Sequence, residues 1–363
     1  MTGGRYAVWG QAFVLALGMA CCSPGAGDVG TTPESKVGLV QTPGGEALPV
    51  ATALFTRTPL PPPALPTQTP RATVSQTSTA TPNPTFVPTA TAVPSHTPTV
   101  PVCEERVGRV LMATFPSPTQ GRDANGNSAQ VPYRIYLPPC YGQDGRLYPA
   151  LYLFHGNIYN ESQWDDLGID EAADAAITGG EIPPFLIVMP FGGEIANSTS
   201  GGDWSFERVV LDELIPHVES QHCAWPQAAG RAIGGLSRGG YWSLEIGFRH
   251  PELFAAVGGH SPALFPDNAG PAYNPLTTGT STHLTGLAIY LDVGDQDWLR
   301  QGVLDLHAVM TGAGIAHQWH LNPGSHGDPY WREHTAAYLA WYASHWPEDV
   351  AGYPAVDGRS CSP

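Results

Sequence analysis

One Gly-x-Ser-x-Gly pentapeptide occurs in the chain, Gly235-Leu236-Ser237-Arg238-Gly239. It follows the short apolar run Ala232-Ile233-Gly234 and precedes a helical pattern. A strand-to-helix turn this sharp forces strained torsions on the serine and needs glycine-sized neighbours. In return the hydroxyl stands at the positive end of a helix. Serine alone is a poor nucleophile and needs a base, which an acid must orient. Downstream, Leu291-Asp292-Val293-Gly294-Asp295-Gln296-Asp297 offers three acids, one within a strand pattern and two after it. Further on, Asn322-Pro323-Gly324-Ser325-His326-Gly327-Asp328 presents His326 among small residues. A tetrahedral oxyanion needs two aimed N–H donors. Arg238 offers its backbone amide, and Asn157 offers another just after Phe154-His155-Gly156. The chemistry these residues support is acyl transfer through a covalent acyl-enzyme. The alternative is a glycine-rich turn with no chemistry, and the strand, helix and ordered partners around Ser237 weigh against it.

Most of the other histidines need no such role. His217, His222, His250 and His334 fall on helices or at their ends, and His317 and His320 flank or sit in a strand. His260 is the exception: it ends a central strand pattern and is a pocket-lining candidate. Tyr159, Trp164, Trp204 and Trp298 are candidates for an aromatic platform, because flat rings stack on sugar or phenolic faces. The Gly/Asn/Ser/Thr-rich loops 192–203 and 265–286 are expected to flank the entrance.

Positioning these groups requires alternating elements. Apolar runs predict strands over 109–115, 133–137, 150–154, 185–189, 232–234, 255–258, 288–293 and 318–321. Helical patterns occupy 171–178, 206–221, 239–250, 299–311 and 331–344. The central runs are continuously apolar, as in strands buried on both faces. The first two strands follow one another without a helix. The expectation is a mostly parallel sheet of about eight strands with an antiparallel edge and helices on both faces. Nucleophile, acid and base in this chain order on such a sheet match the α/β-hydrolase fold.

The composition divides the 363 residues unevenly. Near the N-terminus Arg5 precedes a mostly apolar run from Ala7 to Ala20, too short to span a bilayer, which reads as an export signal over 1–22. Leu17-Gly18-Met19-Ala20-Cys21 resembles a bacterial lipoprotein processing site, which makes Cys21 the expected lipidated residue. Over 31–102, Pro and Thr supply 15 and 17 of 72 residues. Such a stretch cannot offset its ordering entropy, so 23–102 is expected to be a disordered tether. Residues 103–363 carry 12 Arg, no Lys and 29 Asp plus Glu, a net charge of -17. That balance excludes the basic footprint of a nucleic-acid binder and favours neutral ligands. Membrane contact is expected only through the lipid anchor. Four cysteines remain in this part, and three pairings are open. Because domain ends are often close, the expected pairing is Cys103–Cys361 with Cys140–Cys223. No cysteine or histidine spacing calls for zinc, and no cofactor is expected.

Taken together, several motifs resemble the esterase family that includes esterase D, feruloyl and acetylxylan esterases, enterochelin esterases and the mycolyltransferases. The resemblance spans 131–346. It rests on Tyr133-Arg134-Ile135-Tyr136-Leu137-Pro138-Pro139, Leu153-Phe154-His155-Gly156 with Trp164, Asp212-Glu213-Leu214-Ile215-Pro216-His217, the serine elbow with Gly240, His250-Pro251-Glu252-Leu253-Phe254, the Asp292–Asp297 loop and Gly324-Ser325-His326. It implies Asp297 as the acid, His326 as the base, and Asn157 and Arg238 as oxyanion donors. It also implies an ester substrate, small or polysaccharide-linked. Arg238 departs from the commonest pattern, Met or Gln, which places a guanidinium within reach of the acid loop or a substrate. Two other functions stay open at this point: acyl transfer to an envelope carbohydrate, and non-catalytic binding on a hydrolase scaffold.

Overall fold

A computed structural model describes residues 103–358; the expected export signal, Cys21, the whole Pro/Thr-rich stretch and Cys361 lie outside the described residues. Eight strands form one sheet: β1 (Arg109–Arg122), β2 (Ser128–Leu137), β3 (Ala150–Phe154), β4 (Leu186–Pro190), β5 (Arg231–Leu236), β6 (Ala256–His260), β7 (Ala288–Gly294) and β8 (Gln318–Asn322). Their spatial order is β1-β2-β4-β3-β5-β6-β7-β8. β1 pairs antiparallel with β2 and β2 with β4, while every pair from β4 to β8 is parallel. The expected antiparallel edge is therefore present, and the continuously apolar runs are buried along their length at β3 and β4.

The longer helices are α1 (Ile169–Thr178), α2 (Ile215–Gln221), α3 (Arg238–Arg249), α4 (Arg300–Gly312) and α5 (Asp328–Ala343). Neighbouring residues of a strand point to opposite faces of the sheet. On β6, Gly258 lies under the Tyr342 hydroxyl of α5, whereas Val257 and Gly259 lie against Gly247 and Leu244 of α3. So α3 and α5 cover opposite faces. Gly234 of β5 meets the same tyrosine, and a Cβ there would lie 1.9 Å from its hydroxyl.

Two expectations need correction. The 206–221 pattern is not one helix. A short turn, Phe206–Arg208, passes into a π-helical stretch, Val209–Leu214, before α2 begins. Pro216 lacks an N–H, and its ring clashes with a carbonyl one turn back, so the wider turn accommodates it. The cysteine pairing also differs: Cys103 is bonded to Cys140. The antiparallel register sets Arg109 opposite Leu137, which brings the residues before β1 beside those after β2. Cys223 is disulfide-bonded too, and therefore not to Cys140.

Glu245 of α3 is fully buried, and neither carboxylate oxygen has a hydrogen-bond partner. Arg249 Nε stands 3.5 Å from Oε1 without a hydrogen bond between them. Burial first, and the Glu207 charge second, push the Glu245 carboxyl up to about 9, with Arg249 and Arg238 opposing. Folded, the group keeps its proton; unfolded, it releases it above its ordinary 4.5. Its contribution to stability is then complete below that pH and is lost as pH rises towards the folded value. Glu245→Gln, neutral at every pH, is expected to melt above the parent at pH 8, with the gap closing towards pH 5. Parallel melting profiles across that range would refute this assignment.

Candidate active site

The serine elbow forms as its sequence requires. Ser237 sits between β5 and α3 with φ 54° and ψ −116°, a backbone state that ordinary residues avoid. Its flanking glycines are sterically obligatory: a Cβ on Gly235 would lie 2.4 Å from the Gly239 backbone, and one on Gly239 2.3 Å from the Phe154 carbonyl. Elbow and β3 thus touch backbone to backbone. This contact carries the end of β3, and with it Asn157, up to Ser237.

Three elements converge at this end of the sheet. His326, in the loop between β8 and α5, places Nε2 3.0 Å from Ser237 Oγ and Nδ1 2.9 Å from Asp297 Oδ2. Asp297 lies in the loop after β7, and its side chain is wholly buried. Its other oxygen accepts the Leu299 amide at 2.7 Å, which fixes the carboxylate in rotation. The imidazole packs edge-on against Trp298 and Trp331, at ring separations of 5.3 and 4.9 Å. Of the three candidate acids, only Asp297 reaches His326. Asp295 instead accepts the Gly324 amide at 3.0 Å and so holds the histidine loop. Asp292 is buried with His260, which it meets at 2.8 Å, and its second oxygen accepts the hydroxyls of Tyr330 and Tyr338 at 2.6 and 2.7 Å.

Of the two expected oxyanion donors, the Arg238 amide opens α3, where first-turn N–H groups have no partner within the helix. Asn157 heads the turn after β3, which closes through a Tyr159 N–H donation to the Gly156 carbonyl at 3.3 Å. Gly156 in turn donates to Gln163 Oε1 at 2.8 Å, and Gln163 Nε2 donates to Asp328 at 3.3 Å. His155 is a structural group: its Nδ1 hydrogen-bonds the Gly156 carbonyl at 2.7 Å, and Nε2 accepts the Gly192 amide at 2.8 Å. Burial lowers its pKa, consistent with a neutral ring donating from Nδ1.

Ser237 and His326 open into a cavity of about 240 Å³, mostly apolar, with Asn157, Ile158, Tyr159, Trp298 and Trp331 in its wall. Tyr159 and Trp298 are therefore where the sequence places them, and the Phe265 ring lies tilted against Trp298 at a centroid distance of 6.3 Å. The other three aromatic or histidine candidates are elsewhere. Trp164 is in the core, its Nε1 donating to the Phe154 carbonyl at 3.0 Å. His260 is fully buried beneath the elbow. Trp204 is exposed in a separate cleft with Pro118, Thr119 and Glu213. Strand and helix ends look alike in sequence whether they face a pocket or a core, which is why these assignments failed. Arg238 also departs from expectation. Its guanidinium turns away from the acid loop, donates to the Ala196 carbonyl at 2.8 Å and to the Thr199 carbonyl, and lies over Tyr241 and Trp242. Its side chain therefore ties the 192–203 segment, which holds a short helix over Gly193–Ser198, to α3. The residues of the site that sequence reasoning missed are Gln163, Ile158 and Trp331; none carries a motif signal.

The fold is that of an α/β-hydrolase. The family model described as "Putative esterase" matches residues 126–342, and the chain belongs to that family. An endo-1,4-β-xylanase/feruloyl esterase of Xylanibacter ruminicola is 34% identical over 163 residues, 42% of this chain and 21% of the relative. An esterase of Mycobacterium tuberculosis is 32% identical over 168 residues, 44% of this chain and 34% of the relative. This chain therefore matches about a fifth and a third of the lengths of these curated relatives. Among solved structures, a ferulic acid esterase matches with TM-score 0.58 and 24% identity, covering 66% of this chain and all of that one. An S-formylglutathione hydrolase from Staphylococcus aureus matches at TM-score 0.55 and 16% identity, over 65% of this chain and 99% of its own. Likenesses this distant speak to the fold.

Proposed function

We propose that this chain is a serine carboxylic-ester hydrolase acting on a neutral aromatic or carbohydrate-linked ester. The observation that carries this reading is the continuous Ser237–His326–Asp297 relay, at 3.0 and 2.9 Å, opening into an apolar cavity. Ser237 Oγ attacks the ester carbonyl and its proton passes to His326 Nε2. Asp297 accepts from Nδ1–H and stabilises the imidazolium. The amides of Asn157 and Arg238 take the oxyanion. Collapse expels the alcohol, which receives the proton from His326, and water repeats the sequence to release the acid. The exposed Trp298, 70% accessible, leaves the mouth open to water, which favours hydrolysis over transfer.

Two features support the substrate class. The wall offers indole and phenol rings, and the folded part carries a net charge of -17, which repels polyanions. The xylanase/feruloyl esterase among the curated relatives agrees with an aromatic acyl group. The expected organisation is an export signal over 1–22 with Cys21 as lipid anchor, a tether over 23–102 and the catalytic domain over 103–363, with the protein outside the cytoplasm. The Cys103–Cys140 disulfide accords with that location. A panel of methyl ferulate, acetylated xylan, a siderophore ester and a peptide control tests the reading. Methyl ferulate is expected to give the highest kcat/KM among them. Preference for the peptide, or turnover of none, would sink it.

A further inference from the structure

Asn157 and Ile158 are the central residues of the tight turn Gly156–Tyr159, which closes by a 3.3 Å backbone hydrogen bond. Ile158 has φ 60°, while Asn157 is absent from the left-handed region. A positive φ at the third residue and not the second is the pattern of a type II turn, where glycine or asparagine is the usual occupant. A β-branched residue there is a genuine outlier, costing on the order of the strain that persists only where function or surroundings demand it. Packing does not demand it: the Ile158 residue is 87% exposed. It nonetheless lines the catalytic cavity, one residue from an oxyanion donor. Strain that gains nothing in the free protein, at the mouth of the site, points to a gain made when substrate arrives.

We propose that Ile158 is a specificity-determining residue, displayed by the strained turn so that an apolar group of the ester buries against it. The proposal rests on the esterase reading above. A substrate carrying a bulky apolar group on the facing side covers the branched side chain, whereas an acetyl or methyl group is too short to do so. Because the contact forms on binding, its loss appears in KM rather than kcat. Burying one aliphatic side chain accounts for about a tenfold preference.

The test uses the full chain with Ile158→Gly, Ile158→Asn and Ile158→Val. Two ratios of kcat/KM are read: p-nitrophenyl ferulate over p-nitrophenyl acetate for the acyl side, and p-nitrophenyl acetate over methyl acetate for the alcohol side. In the Gly and Asn variants one ratio is expected to fall about tenfold through KM, and the ratio that responds identifies the facing side. Ile158→Val, which keeps the branch, restores the parent ratio within about twofold. The Gly and Asn variants are expected to melt at or above the parent temperature. Both ratios unmoved in an active Gly variant would overturn the proposal, as would a lower melting temperature in both the Gly and Asn variants, which would make the isoleucine a structural residue. An inactive parent would instead overturn the esterase reading on which it rests.

Discussion

Ser237→Ala is expected to lower kcat for p-nitrophenyl acetate by at least about 10⁴-fold, with little change in melting temperature. The change removes one oxygen that hydrogen-bonds His326 at 3.0 Å, so the fold loses almost nothing. The backbone strain at φ 54° is also unchanged, because alanine carries the same Cβ. Residual turnover reflects the oxyanion amides and binding alone. Rapid mixing provides a second reading. The parent is expected to release a burst of p-nitrophenol equal to the enzyme concentration when deacylation is slow, and the alanine variant none. Retention of more than about 1% of the parent rate would remove Ser237 as the nucleophile.

Asp297→Asn is expected to lower kcat by about 10³- to 10⁴-fold while KM stays within a few-fold. The amide keeps the shape of the carboxylate and its contact to the Leu299 amide, but it can donate to His326 Nδ1 and so favour the wrong tautomer. The neighbouring acids act as internal controls of different kinds. Asp295→Asn weakens the hold on Gly324 and is expected to cost less than about tenfold. Asp292→Asn disturbs a buried carboxylate that accepts from two tyrosines and meets His260, so its main effect is on melting temperature. If Asp295→Asn proved the more damaging to kcat, the acid would have to be reassigned.

The buried Asp292–His260 pair shows how the scaffold serves the site without joining it. His260 ends β6 and its carbonyl accepts the Ser237 amide at 3.0 Å. Asp292 lies on β7, opposite His260 in the sheet register. Polar groups buried together in this way must satisfy one another, and in doing so they lock β6 and β7 beneath the elbow and the acid loop. Sequence could not distinguish this pair from a catalytic one, since both are histidine and aspartate at strand ends.

The order of chemistry along the chain was legible without coordinates. Glycines on both sides of Ser237 are forced by a 2.4 Å backbone approach that no larger residue survives, and so they mark the elbow in the sequence itself. The continuous apolar runs marked the buried parallel strands for the same kind of reason: a strand covered on both faces has no polar side to show. His326 stood out because its loop follows the last strand. What tertiary structure alone decided were matters of distance between residues far apart in the chain. It turned Asp295 to the Gly324 amide, paired Cys103 with Cys140 through the β1–β2 register, and sent Trp164 and His260 into the core and Trp204 into another cleft. It also exposed Ile158 in a glycine's conformation at the pocket mouth, which residue type alone argues against. Sequence specifies which residues a turn or strand tolerates; only the closed sheet specifies which of them meet.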